Sequence, residues 1–177
     1  MKTPYTSTAI ALHWLMAVLL FMTFPLGIYM HDLPLSPDKL KLYSYHKWIG
    51  VTIFLLACLR MLWRLRHPTP PLPRSMPDWQ QKLAKGIHHL FYLLLCFIPL
   101  SGWLMSSALG VQTVWFGLIP LPDLVREDAA LGEWLQATHK ALNILLLIGV
   151  IVHVAAAVKH HVVDRDDVLA RMLPFLK

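Results

Sequence analysis

A bundle of four membrane-crossing α-helices, an all-α membrane protein, is the fold class this sequence predicts, and three observations carry that prediction. Four segments, at about 8–30, 46–63, 87–109 and 137–158, are apolar over close to the 20 or so residues a helix needs to cross a bilayer. The composition is 56% hydrophobic against 15% charged, with a mean hydropathy of +0.53, which is too apolar for an ordinary water-soluble domain. The 16 Lys and Arg residues gather at or near the ends of these segments.

The first segment, Thr8 to Met30, follows a basic residue, as a signal peptide would. Its apolar core is too long for one, and no small-residue cleavage site precedes Asp32, so it is expected to remain as a span. The second runs from His46 to Trp63, the third from Ile87 to Leu109 and the fourth from Ala137 to Val158. Pro25 and Pro99 fall inside spans, where neighbouring helices can satisfy the carbonyls a proline frees. Between spans two and three, HPTPPLPRSMP is too short and proline-rich for a domain and reads as an extended connector. Between spans three and four, a short helix is expected in DLVREDAALGEW. Residues 1–177 form a single domain on this reading. Cys58 and Cys96 lie mid-span with no metal-ligand spacing and are assigned to packing.

With four spans the termini and the 65–86 connector share one side. Lys2, Arg60, Arg64, Arg66, Arg74, Lys82, Lys85, Lys159, Arg165, Arg171 and Lys177 lie there, eleven of the 16, against Lys39, Lys41, Lys47, Arg126 and Lys140 opposite. The excess places both termini in the cytoplasm. It also accounts for the pI of about 9.5 without a nucleic-acid partner, since no separate basic domain exists. Tyr29, Tyr43, Tyr45, Trp48, Trp115 and Trp134 near the outer boundary, and Trp63 and Trp79 near the inner, suit an interfacial belt or packing.

Ionisable residues inside a bilayer are costly and mark function. His139 and His153 stand fourteen residues apart on the fourth span, on one face and roughly 21 Å apart along it. At matching depth, His13 on span one faces the level of His153, and His46 on span two that of His139. Two depth-matched imidazole pairs fit two stacked haems, each iron held by two neutral imidazoles and closed to other ligands, so that the sites carry electrons. Gly50, one turn from His46, and Gly149 and Ala157, one turn either side of His153, offer flat patches for a porphyrin, although small residues are common at any helix contact. Arg60, fourteen residues after His46, is placed either to meet a propionate of the inner haem or to snorkel to the surface. His88, His89, His160 and His161 cluster at the cytoplasmic boundary as hydrated residues or as a protonatable rim for a quinone, with His88, His160 and His161 the candidates for hydrogen bonding and proton delivery. His31 and His67 sit in loops.

The elements ALHWL around His13, YHKWIG around His46, LRMLWRLRHPTPP, THKALNILLLIGVIVHVAAAVKHH and the tail DRDDVLARMLP occur in an order and spacing that resembles the bacterial cytochrome b561 family over essentially the whole chain. The resemblance implies a four-helix inner-membrane bundle with two b-type haems and axial ligand roles for His13, His46, His139 and His153. It also implies a place near the inner surface for His88 and for Lys159 to His161, with quinone as electron partner. Best-characterised relatives move electrons from superoxide to ubiquinone. Here the outer side carries six acidic against five basic residues, which does not by itself select an anionic donor.

Three readings follow. The first is a di-haem electron carrier coupled to the quinone pool, with or without superoxide:quinone oxidoreductase activity. The second is a membrane-anchor cytochrome b taking electrons from a dehydrogenase or hydrogenase, a redox protein donor. The third is a metal-ion or proton transporter binding its substrate through histidine, which predicts no haem; the discontinuous helices common in transporters are absent.

Overall fold

Side-chain caps set three of the four helix starts. The Thr6 hydroxyl accepts from the Ala9 amide and opens α1 (Ser7–Asp32); the Ser36 hydroxyl accepts from Lys39, with Pro37 at the first position of α2 (Pro37–Arg66). Asp128 accepts from the Leu131 amide at the start of α4 (Ala129–Val162). α3 (Asp78–Ala108) follows Pro77 and carries Asp78 in its first turn, where a carboxylate complements the helix dipole. The computed structural model describes residues 5–73 and 75–176; Lys2, Arg74 and Lys177, used in the charge count above, lie outside them.

All four helices are long and apolar enough to cross a membrane. They overrun the apolar segments: α2 starts nine residues before His46 and α3 nine before Ile87. Hydropathy marks the depth of the bilayer, whereas caps and prolines mark where the helix ends. α1 and α3 continue through Pro25 and Pro99.

α1 packs on α2, α2 on α3 and α3 on α4, whereas α1 and α4 do not pack backbone to backbone. The connector and the described chain ends lie at one end of the bundle, the terminal end; the other is the loop end. Two apolar clusters hold the middle, Met16, Ile53, Ala57 and Leu95 between α1, α2 and α3, and Leu94, Ile98 and Leu146 between α3 and α4. Lipid supplies no hydrophobic drive for helix association, so small residues that allow close approach matter more. Ala57 is fully buried, and at Gly132 a Cβ would come within 2.5 Å of Leu109 Cδ2. Cys58 and Cys96 are free, and Cys96 packs against the first cluster.

The separate helix expected in DLVREDAALGEW does not form. Its first half is irregular and its second half is the first turns of α4, because Asp128 caps at that point while its own amide donates to Ala108 O at 2.9 Å. The loop's regular structure lies earlier, in a hairpin of β1 (Val114–Trp115) and β2 (Ile119–Pro120), paired Val114 to Pro120 and Trp115 to Ile119. Three residues, Phe116 to Leu118, separate the paired positions, and Phe116 (φ 52°) and Gly117 (φ 70°) take the left-handed region at the centre of a turn closed by Leu118 N donating to Trp115 O at 3.0 Å.

After α4 the chain folds back over the terminal end. Arg171 pairs with Asp167 at 2.9 Å and donates to Pro71 O at 2.6 Å, and Trp14 Nε1 donates to Met172 O at 2.8 Å.

Candidate functional site

At the loop end, the rings of His46 on α2 and His139 on α4 have centres 6.3 Å apart with planes at 75°. His139 Nδ1 lies 3.0 Å from the carbonyl of Ile98 and 3.0 Å from Ser101 Oγ. A carbonyl only accepts, so the proton sits on Nδ1 and Nε2 keeps its lone pair for a metal. His46 Nδ1 is 3.1 Å from Thr23 Oγ1, an arrangement that allows the same tautomer. Each ring also rests on a glycine: a Cβ would meet His46 Cε1 at 3.0 Å from Gly27 and His139 Cε1 at 3.2 Å from Gly102. Both histidines line one apolar crevice with Leu20, Gly50, Ile53, Leu94 and Leu146, and a Cβ on Gly50 would meet nothing within 4 Å.

At the terminal end, His13 on α1 and His153 on α4 have ring centres 6.2 Å apart, planes at 68°. Arg60 Nη1 donates to His13 Nδ1 at 3.1 Å. His88 on α3 stands 5.7 Å from the His153 ring and Phe91 5.5 Å from it. A Cβ at Gly149 would meet Phe91 Cε1 at 2.8 Å, so this glycine makes room for Phe91 and not for the flat cofactor patch expected of it. Arg60 and Arg64 lie over Tyr92, at 5.9 and 5.3 Å. Beside them burial pushes the Tyr5 phenol above its ordinary value, against the opposing pull of Arg64, Arg171 and Arg60.

Two imidazoles on opposite sides of one metal, each nitrogen about 2.0 Å from it, would have ring centres roughly 6.3 Å apart, against about 5 Å at a tetrahedral angle. The two depth-matched pairs meet that distance, and the donor set, four neutral-capable nitrogens in two opposed pairs, suits haem iron. His88, at 5.7 Å, is closer to His153 than that geometry asks. The other boundary histidines separate: His160 Nδ1 bonds Asp166 at 2.7 Å and lies 3.1 Å from Asp164, His161 is exposed, and so is His89. On the loop side, Lys39 and Lys47 spend their ammonium groups on the carbonyls of His31 and Val111.

The sequence matches a family model described as prokaryotic cytochrome b561 over residues 4–175. The chain belongs to that family. It is 35% identical over 177 residues to cytochrome b561 homolog 2 of Escherichia coli K12, covering 97% of this chain and 93% of that protein. It is 29% identical to the probable superoxide oxidase CybB of Yersinia pestis, covering 98% of each, and 27% identical to cytochrome b562 of Cereibacter sphaeroides, covering 96% and 94%. This cytochrome is therefore a multi-pass transmembrane electron-transfer protein of a haem b family, which sets the transporter reading aside.

Sequence reading missed the groups that seat the loop-end histidines. Thr23 stands four residues before Gly27, and Ile98 four before Gly102. Each glycine also follows a proline closely, in TFPLG and IPLSG, so the signal existed as a short echo between α1 and α3. Its meaning depended on which ring each segment meets.

Proposed function

We propose that this cytochrome holds two haem b groups and carries electrons across the bacterial inner membrane, with His13 and His153 as axial ligands at the terminal end and His46 and His139 at the loop end. The observation that carries this reading is the pair of imidazole separations, 6.2 and 6.3 Å, at two depths on α4. Bound haem supplies one-electron uptake and release. The chain holds the loop-end imidazoles by their Nδ1 atoms and surrounds them with apolar side chains, which keeps water from the pair. At the terminal end Arg60 stands where it can exchange its bond to His13 for one to a propionate. Pyridine haemochrome analysis of the purified protein is expected to return two haem b per chain. One or none defeats the proposal.

The excess of basic residues at the terminal end supports cytoplasmic termini, so that end is the inner one. A reporter fused after Lys177 should be active in the cytoplasm; periplasmic activity alone would reverse the orientation.

Quinone is the electron partner on this reading, reduced at the inner end. His160 is hydrogen-bonded to Asp166, so a proton given up by the ring can be replaced from water through the carboxylate. His160→Ala, with His161→Ala, is expected to slow quinone reduction by about tenfold or more while leaving both haem spectra intact. Unchanged rates would return these residues to the hydrated boundary. His88 is a less clean probe, since its ring touches that of His153. The superoxide oxidase relative supports superoxide as the donor at the outer end. The membrane-anchor alternative requires a large redox protein, and isolation as a stable di-haem chain that reduces quinone alone argues against it.

A further inference from the structure

The β1–β2 hairpin does not stand clear of the bundle. Trp48 Nε1 donates to Val114 O at 2.7 Å, Trp115 Nε1 to Thr52 Oγ1 at 3.3 Å, and Gly117 lies against the Trp48 ring. Thr52 is six residues further along α2 than His46, roughly 9 Å deeper into the apolar segment. At 100° per residue, Trp48 and Thr52 lie on the side of α2 turned away from His46, Gly50 and Ile53, which line the crevice. That far side continues through Leu55, Leu59 and Leu62, each about half exposed, as the lipid-facing stripe of the helix. The hairpin thus lies beside α2, within the depth of the span.

We propose that this hairpin is an element of the membrane-embedded surface, its tip immersed in the leaflet at the loop end and packed against lipid acyl chains. The run from Val111 to Pro122, VQTVWFGLIPLP, contains no charged residue. Phe116, Leu118 and Ile119 are 54%, 82% and 51% exposed, on a hairpin bonded to Trp48 and Thr52 on the same side of α2 as that stripe. Backbone can enter lipid only if its polar groups are bonded within the protein. Here Gly117 N donates to Val114 O, Leu118 N to Trp115 O and Leu121 N to Thr113 O, and the strands pair with each other. A bulky residue at positive φ is a conformational outlier, and at Phe116 it directs an aromatic ring outward at the tip, next to Trp48 and Trp115. Trp and Tyr at this level, Trp48, Trp115 and Tyr45, form the amphipathic collar such an element needs. The proposal goes beyond the haem assignment and stands whatever the four histidines bind.

The test is a nitroxide on Leu118→Cys in a Cys58→Ala, Cys96→Ala chain, reconstituted as the haem-loaded protein at one copy per phosphatidylcholine nanodisc. Reference labels sit at Leu55, on the lipid face of α2, and at the exposed Arg126. The expected result is an oxygen-to-nickel collision ratio at Leu118 several-fold above that at Arg126 and close to that at Leu55. A ratio at the Arg126 level overturns the proposal, because the tip then faces water. Protection that appears only in crowded proteoliposomes, with dipolar broadening between labels, also overturns it and assigns the face to a second copy of the chain. If the cysteine-free background loses its absorption spectrum, p-azidophenylalanine in place of Leu118 in the chain with both cysteines decides the matter. Lipid adducts on irradiation support immersion, and chain-to-chain adducts or none refute it.

Discussion

His139→Ala is expected to leave one haem per chain in place of two, with the remaining haem still low-spin. His139 is the most fully specified of the four imidazoles: a carbonyl and a hydroxyl hold its Nδ1, Gly102 backs its ring, and its partner ring stands at 6.3 Å. On the proposed assignment a loop-end haem would then be held by His46 alone, and a site with a single imidazole binds its haem weakly or turns high-spin and reactive. The other pair lies roughly 21 Å along α4, beyond the range over which such losses couple. His46→Ala should reproduce the result, and His13→Ala or His153→Ala should remove the terminal-end haem instead. The groups behind the ligands give a graded series. Thr23→Val keeps the imidazole but removes the hydroxyl partner of His46 Nδ1, a change that typically weakens the hold on a metal by about 10- to 100-fold, whereas Ser101→Ala leaves His139 Nδ1 bonded to the Ile98 carbonyl and should cost less. Haem per chain and the low-spin absorption bands, read before and after competition with apomyoglobin, check every member. Retention of two low-spin haems in all four alanine variants would remove these histidines from the ligand set.

How far the sequence could be read follows from the range of the interactions involved. Spans and their order are legible because a 20-residue apolar segment has few other fates. The histidine pairs are legible because helical rise converts residue counts into depth, and depth alone brings His13 to His153 and His46 to His139. What depth cannot give is azimuth. Gly149 shares a helix face with His153, yet which neighbour fills the space beside it depends on how α3 is rotated, and that neighbour is Phe91. Thr23, Gly27, Ser101 and Gly102 act across helix contacts and carry no periodic mark of their own. The setting of His160 was hidden for a related reason. Proximity along the boundary said nothing of Asp164 and Asp166, which a turn after α4 brings back onto His160. The hairpin was hidden because its place depends on bonds to Trp48 and Thr52 of α2, more than 60 residues away in the chain, which the loop's own residues do not announce.

Enlarging the glycines of the loop-end site should separate ring seating from cofactor approach, with effects nearly as large as ligand removal. At Gly102 a new Cβ would meet His139 Cε1 at 3.2 Å, so alanine asks the ring to yield by a few tenths of an ångström, whereas valine adds methyl groups where the ring now lies. Gly102→Val is therefore expected to displace His139 and cost the loop-end haem, and Gly102→Ala to retain both haems with a shifted potential. Helix propensity does not oppose the alanine change, since alanine is favoured over glycine by about 1 kcal/mol in a helix interior. Gly50 differs in kind. A Cβ there meets no protein atom within 4 Å although the residue lines the crevice with His46 and His139, so a larger side chain has nothing in the chain to collide with. Gly50→Leu should accordingly leave the helices folded by circular dichroism and yet drop the haem count from two to one, because the side chain enters the space a porphyrin needs against α2. Gly86→Leu, on α3 outside the crevice and equally open, serves as the control and should keep both haems. If Gly50→Leu retains two haems with unshifted spectra, the cofactor does not pass over Gly50, and the loop-end assignment must then rest on the His46 and His139 contacts alone.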